Sequence, residues 1–142
     1  MPKKTIEGYI EVIYDLEKKR GIARTSDIAW ILGIREASVT EMLHKLQKKG
    51  YIQYSAYHGA CLSTRGMRYA KNLMNKHAIL AEFFRILGIG KKTADYDACE
   101  IEHYISNETI QCLSEFVNYA KNSPSWIEKF RSYWIKKNGE RQ

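Results

Sequence analysis

The sequence predicts a mainly α protein: an N-terminal helix-turn-helix with a small β-hairpin behind it, then an all-helical C-terminal half. Three observations carry this reading. Apolar residues recur at three- and four-residue spacing along most of the chain. A short helix, a Gly-containing turn and a second helix follow one another between residues 25 and 50. Two short extended runs, Tyr51-Ile-Gln-Tyr54 and Ala60-Cys-Leu-Ser63, flank Tyr57-His58-Gly59, as a hairpin requires. The 142 residues, 44% of them hydrophobic, suffice for one compact domain or two small ones sharing a core. The division expected is 1–70 and 71–142.

The elements follow in order. Residues 5–19 form a helix whose apolar face is Ile6, Tyr9, Ile10, Ile13 and Leu16. Gly8, Glu11 and Asp15 line its other side, and a glycine there, costing about 1 kcal/mol against Ala, predicts a close approach. Lys18-Lys-Arg-Gly21 is a helix stop. Thr25-Ser-Asp supplies capping residues for a short helix to Leu32, and Gly33-Ile34 is the turn. The second helix spans Glu36 to Lys48, with Val39, Met42, Leu43 and Leu46 inward and Gly50 closing it. The hairpin then stands where a wing belongs. A long helix over 64–87 carries a stripe of Ala70, Leu73, Met74, Leu80 and Phe84 with His77 in its middle, and Gly88 ends it. A helix over about 94–105 comes next. Ser106 caps another that holds Ile110, Leu113, Phe116 and Val117. Ser125-Trp-Ile-Glu128 reads as a capping box for the last helix. Its Trp126, Phe130, Tyr133 and Trp134 predict docking onto a second subunit.

Composition narrows the function classes. No apolar run approaches the ~18 residues of a transmembrane span, and Met-Pro-Lys-Lys-Thr leads into an amphipathic helix, not a signal-peptide core. Cys61, Cys99 and Cys112 are too few and scattered for a disulfide framework. A cytoplasmic protein with reduced thiols and no membrane association is expected. The net charge of +7 favours an anionic partner. Between Arg35 and Lys71 seven basic residues face two acids, Glu36 and Glu41, so the positive field sits on the helix-turn-helix and hairpin. The partner it implies is double-stranded DNA. Arg35, Ser38 and Thr40 are placed for base edges or phosphates, and Ala37 is small enough to meet a thymine methyl. Lys45, Lys48 and Lys49 suit phosphates, as do Thr25 and Ser26, while Tyr57 and His58 reach flanking backbone. One such module binds weakly, so a homodimer on a pseudo-palindromic operator is expected.

Within this basic chain, Asp95-Tyr-Asp-Ala-Cys-Glu-Ile-Glu-His103 holds four acids, a thiol and an imidazole with no Lys or Arg. On a helix, Asp95, Cys99, Glu102 and His103 share one narrow face. A face collecting S, O and N donors suits a divalent transition metal; the alternative is a solvated charged surface. His77 on its apolar stripe reads equally as a core histidine, Glu11 as a solvated acid and Cys99 as a small hydrophobe.

Several motifs resemble a known family: Gly8-Tyr-Ile-Glu-Val-Ile-Tyr14, Thr25-Ser-Asp-Ile-Ala with Ser38-Val-Thr, Leu62-Ser-Thr-Arg-Gly66 at the start of the long helix, Lys76-His77, and Glu100-Ile-Glu-His103. Residues 5–120 resemble the diphtheria-toxin-repressor family of metal-dependent transcriptional repressors. The short manganese-repressor branch, without the SH3-like domain, is the more similar. The resemblance implies a winged helix followed by a helical dimerisation domain, with Glu11, His77, Glu102 and His103 as metal ligands. Cys99 falls where the manganese branch has a carboxylate and the iron branch a cysteine. Gly8 stands where the family has a ligand and offers none, and Ala81 replaces the iron branch's carboxylate partner of His77. A thiolate among these donors shifts preference from Mn2+ towards Fe2+, Co2+ and Zn2+; Fe2+ or Mn2+ is expected as effector, with Zn2+ or Co2+ binding in vitro. The implied function is a non-enzymatic repressor of metal-uptake genes, activated for operator binding by metal. Two other readings compete. One is a winged-helix regulator that has lost metal control and senses through Cys99. The other is a carboxylate-bridged metalloenzyme, suggested by Glu-x-x-His at Glu100–His103 and again at Glu41–His44.

Overall fold

A computed structural model describes residues 3–139; Met1 and Pro2, which precede the first predicted helix, lie outside them. Seven helices and one hairpin follow in order: α1 (Lys3–Arg20), α2 (Thr25–Leu32), α3 (Glu36–Lys48), β1 (Ile52–Ser55), β2 (Gly59–Leu62), α4 (Thr64–Ile86), α5 (Lys91–Ile101), α6 (Asn107–Lys121) and α7 (Pro124–Asn138). The chain divides into two compact units, one ending at Leu73 and the other beginning at Met74. Among the described residues no helix is long and apolar enough to cross a membrane.

The first unit is the winged helix-turn-helix that the spacing predicts. α1 buries Tyr9, Ile10, Ile13 and Leu16, and they share one core with Ile28, Val39, Leu43, Leu46, Ile52 and Ala70. Full burial of an Ile or Leu stabilises by about 1.5–3 kcal/mol, so this seam holds α1 and α3 in place. Gly33, at φ 67°, ends α2 by donating its N–H to the Ala29 carbonyl, which supplies the tight turn into α3. β1 and β2 pair antiparallel in the register Ile52–Leu62, Gln53–Cys61, Tyr54–Ala60 and Ser55–Gly59. The hairpin is pinned from outside: Ala23 and Ala60 exchange two backbone hydrogen bonds of 2.9 and 2.7 Å, and the Leu62 N–H donates to Glu17 Oε2 at 2.9 Å. The Tyr69 hydroxyl donates to the buried Glu7 carboxylate at 2.7 Å. Burial, and then the adjacent Glu7 carboxylate, pushes that hydroxyl far above its ordinary range, so it remains a donor.

The second unit holds the rest of α4 with α5, α6 and α7. Its apolar interior is two small clusters, Leu80, Ala81, Ala98 and Ile110 in one and Ile86, Val117 and Ala120 in the other. Ser106 caps α6 as predicted, accepting from the Thr109 N–H at 3.2 Å.

Five local expectations are corrected. Among the described residues a Cβ on Gly8 would meet nothing within 4 Å, so no close approach there explains that glycine. α2 is capped by Arg24 in extended conformation without a side-chain bond; Thr25 is already its first helical residue, and Asp27 is engaged by Arg20 at 2.9 Å. Met74 is 43% exposed and leaves the apolar stripe. α5 starts three residues early, because Gly90 takes the extended N-cap conformation, a role glycine fills without a side chain. α7 begins at Pro124, whose fixed φ suits the first helical position, so Ser123 occupies the cap and the Ser125–Glu128 box does not form.

Two changes test this packing. A methyl on Gly66 would run into the Tyr51 backbone carbonyl; Gly66→Ala is expected to cost about 2–3 kcal/mol, read from the urea midpoint, and an unshifted midpoint would refute the close approach. Tyr69→Phe removes a hydrogen bond to a carboxylate and should cost roughly 1.5–3 kcal/mol, with a control, the exposed Tyr57→Phe, leaving stability unchanged.

Candidate functional site

α5 does not continue to 105. It ends at Ile101, and Glu102 is its C-cap. The Glu102 N–H still bonds Ala98, but Tyr104 and Ile105 both donate back to the Ile101 carbonyl, at 2.9 and 3.2 Å. The chain must leave the helix here because Ser106, extended at φ −76° and ψ 158°, has to cap α6. The single helical face predicted for Asp95, Cys99, Glu102 and His103 is therefore not formed as such. Cys99 is on the last helical turn, while Glu102 and His103 sit on the turn that follows. Asp95, which the resemblance does not name as a ligand, lies 3.8 Å from Lys91 on its own helix.

That turn aims Glu102 inward. Its side chain is 2% exposed, and Oε2 lies 2.9 Å from His77 Nδ1 on α4. With the carboxylate ionised, the bond needs the Nδ1–H tautomer of His77 as donor. His103, also buried, places Nε2 3.9 Å from the other oxygen, Oε1. One buried carboxylate thus has an imidazole on each side. Donor atoms of His77, Cys99 and Glu102 all lie within 4.8 Å of one another. Metal–ligand distances of about 2.0–2.3 Å put two ligands on one ion no more than about 4.6 Å apart, so this trio suits a single divalent cation after small side-chain adjustments. Cys99 is exposed at the rim of the trio, and Glu102 is its buried floor. The chemistry of N, S and O donors together favours a borderline transition metal over Mg2+ or Ca2+. Glu11 stands half-buried on α1, in the other unit.

The residues expected to meet nucleic acid belong to the first unit. Arg35, Ala37 and Ser38 are exposed at the start of α3, Thr40 is half-buried, and Val39, Leu43 and Leu46 hold the opposite face in the core. Lys45 and Lys48 are exposed, Lys45 within 3.5 Å of Glu41. Thr25 is half-buried and Ser26 exposed at the start of α2. Tyr57, at the tip of the wing, is 96% exposed. Sequence reasoning missed what attaches the wing to α3. Gln47 Oε1 accepts from the Tyr54 N–H at 2.6 Å, and His44 meets Tyr54 edge to face at 5.3 Å. Arg65 donates to the Lys49 carbonyl at 2.7 Å and lies over the Tyr51 ring at 4.6 Å. No motif announces this role for Gln47 or His44; only proximity across the turn gives them this work.

Comparison with known proteins agrees with both halves. Residues 1–60 match the model of the iron dependent repressor N-terminal DNA binding domain, and residues 63–130 that of its metal binding and dimerisation domain. The HTH-type transcriptional regulator MntR of Oceanobacillus iheyensis is 36% identical over 131 residues, 92% of this chain and 89% of that protein. The protein of the same name from Geobacillus thermodenitrificans is 36% identical over 132 residues, covering 93% and 94%. Among solved structures, T. acidophilum IdeR superposes with a TM-score of 0.67 at 28% identity, over 79% of this chain and 53% of that one. The manganese regulator SloR superposes at 0.68 with 26% identity, over 84% and 55%. The two MntR relatives are transcriptional regulators, and this chain matches a DNA-binding domain followed by a metal-binding and dimerisation domain. With the exposed polar end of α3 in one unit and the donor cluster in the other, the chain belongs to the iron-dependent repressor family of metal-responsive, DNA-binding transcriptional regulators.

Proposed function

We propose that the chain is a homodimeric repressor of metal-uptake genes in the cytoplasm, that Fe2+ or Mn2+ is its effector, and that its operator is pseudo-palindromic. The observation that carries the metal half is the convergence of His77, Cys99 and Glu102. His77, Cys99 and Glu102 hold the ion, and the family resemblance supports Glu11 and His103 as further ligands. A bound divalent cation supplies positive charge where Glu102 and an ionised Cys99 put negative charge. To hold such an ion, Cys99 would have to be the thiolate and His77 would have to offer an unprotonated ring nitrogen, so uptake would release the thiol proton. The names of the MntR relatives and of SloR favour manganese; the thiol of Cys99 pulls the other way, towards Fe2+, with Zn2+ and Co2+ as competitors in vitro.

For the nucleic acid, Arg35, Ala37, Ser38 and Thr40 read base edges at the start of α3, and Thr25, Ser26, Lys45, Lys48 and Tyr57 hold phosphates and flanking backbone. Metal raises operator affinity only through its preference for the DNA-binding conformation. The exposure of Cys99 favours one runner-up, regulation through its thiol. The carboxylate-bridged enzyme has less in its favour, since its second Glu-x-x-His, Glu41–His44, is on α3 in the other unit.

Two measurements decide. Operator binding is expected to strengthen at least tenfold when Mn2+ or Fe2+ is added anaerobically to chelator-treated protein, and C99A should need more Fe2+ for the same effect. Equal binding with and without metal would sink the switch, and a wild type responsive only to thiol oxidants would favour the runner-up. Separately, Lys45→Ala and Lys48→Ala should each reduce the slope of log affinity against log salt by about 1. An unchanged slope removes that lysine from the phosphate contacts.

A further inference from the structure

Lys76 is a buried charge that the proposed function does not use. It is 5% exposed, although a lysine on a helix ordinarily lays its stem on the surface and keeps its ammonium in water. Desolvating an ammonium costs several kcal/mol unless good hydrogen bonds offset it. Its Nζ donates to the Ile105 carbonyl at 2.8 Å. Ile105 closes the turn that begins at Glu102: its own N–H returns to Ile101, and its carbonyl precedes the extended cap residue Ser106. Lys76 and His77 are neighbours on α4, about 100° apart around the helix, so they reach different points. His77 bonds the Glu102 carboxylate at the start of the turn, and Lys76 bonds the backbone at its end. Two adjacent residues of α4 therefore grip the segment carrying Glu102 and His103 from both sides.

We propose that Lys76 is a positioning residue of the metal centre, holding the 102–105 turn so that Glu102 and His103 face the ion. The proposal rests on the metal reading above. It predicts that loss of the bond lets the turn relax, lowers metal affinity and changes coordination, without abolishing the fold. Arginine can donate to the same carbonyl, so it should substitute; methionine fills similar space and cannot.

The test is a Co2+ titration of the full chain, anaerobic, followed by absorption in the visible d–d region and in the near-ultraviolet sulfur-to-cobalt band, for wild type, K76M and K76R. Circular dichroism of the metal-free proteins checks folding. The expected result is a wild-type spectrum with both bands, a 10–100-fold weaker Co2+ affinity in K76M with altered d–d bands, and recovery in K76R. If K76M does not fold, K76Q, polar but shorter in reach, takes its place under the same expectation. A K76M spectrum and affinity equal to wild type would overturn the positioning role while leaving the metal centre intact, and so would K76R as impaired as K76M. A wild type that gives no Co2+ spectrum would overturn the metal reading itself, and this proposal with it.

Discussion

A carboxylate that is almost completely shielded from water must find partners, and Glu102 is that carboxylate in the second unit. Unpaired, its charge would cost several kcal/mol. Its oxygens instead face His77 at 2.9 Å and His103 at 3.9 Å. This requirement organises the rest. α5 has to stop before Glu102 so that the following turn can point it inward, and Ser106 has to begin α6 directly after that turn. α4 must present His77 at that height, with Lys76 beside it reaching Ile105. The arrangement that satisfies a buried charge is also one that a divalent cation can take over, since the cation replaces protons on the same donors.

The first unit works by a different division of labour. Its core is apolar and continuous, from Tyr9 on α1 through Leu46 on α3 to Ala70 on α4. That leaves the solvent side of α3 free to be chosen for its chemistry. Arg35, Ser38 and Lys48 are exposed because Val39, Leu43 and Leu46 satisfy the packing on the other side. The wing adds little core of its own. It is held by backbone bonds to Ala23, by the Glu17 carboxylate and by Gln47, which makes its pose a consequence of α1 and α3.

Much of this was legible beforehand where periodicity speaks. α2 and α3 end where the Gly33 turn and the apolar spacing put them, and α4 ends one residue before expectation. Three of the errors fall at helix starts that lack a capping side chain, and the largest is the end of α5, which turns at Glu102 instead of running on to 105. Gly90 and Arg24 cap through backbone conformation alone, and Pro124 starts α7 by its ring; Thr25 and Ser125 carry the usual side-chain signal of a cap but do not act as one. Met74 failed for another reason, since a position one step off a helical stripe is buried only if a neighbour covers it.

The sequence by itself determined the class of protein. Helical periodicity, the Gly turn, the local positive charge and the donor-rich run at 95–103 are all properties of residues near one another in the chain, and short-range stereochemistry ties them to local structure. Family motifs added the identity of the ligands expected. Only the tertiary structure decided which donors meet. Cys99 and Glu102 belong together because the helix ends between them and turns, and His77 joins them from 25 residues away because buried charge has to be paired. Asp95, which the family motifs already leave out of the ligand set, is half-exposed and lies 3.8 Å from Lys91 on its own helix. Burial and pairing are long-range energies, and no spacing within nine residues encodes them.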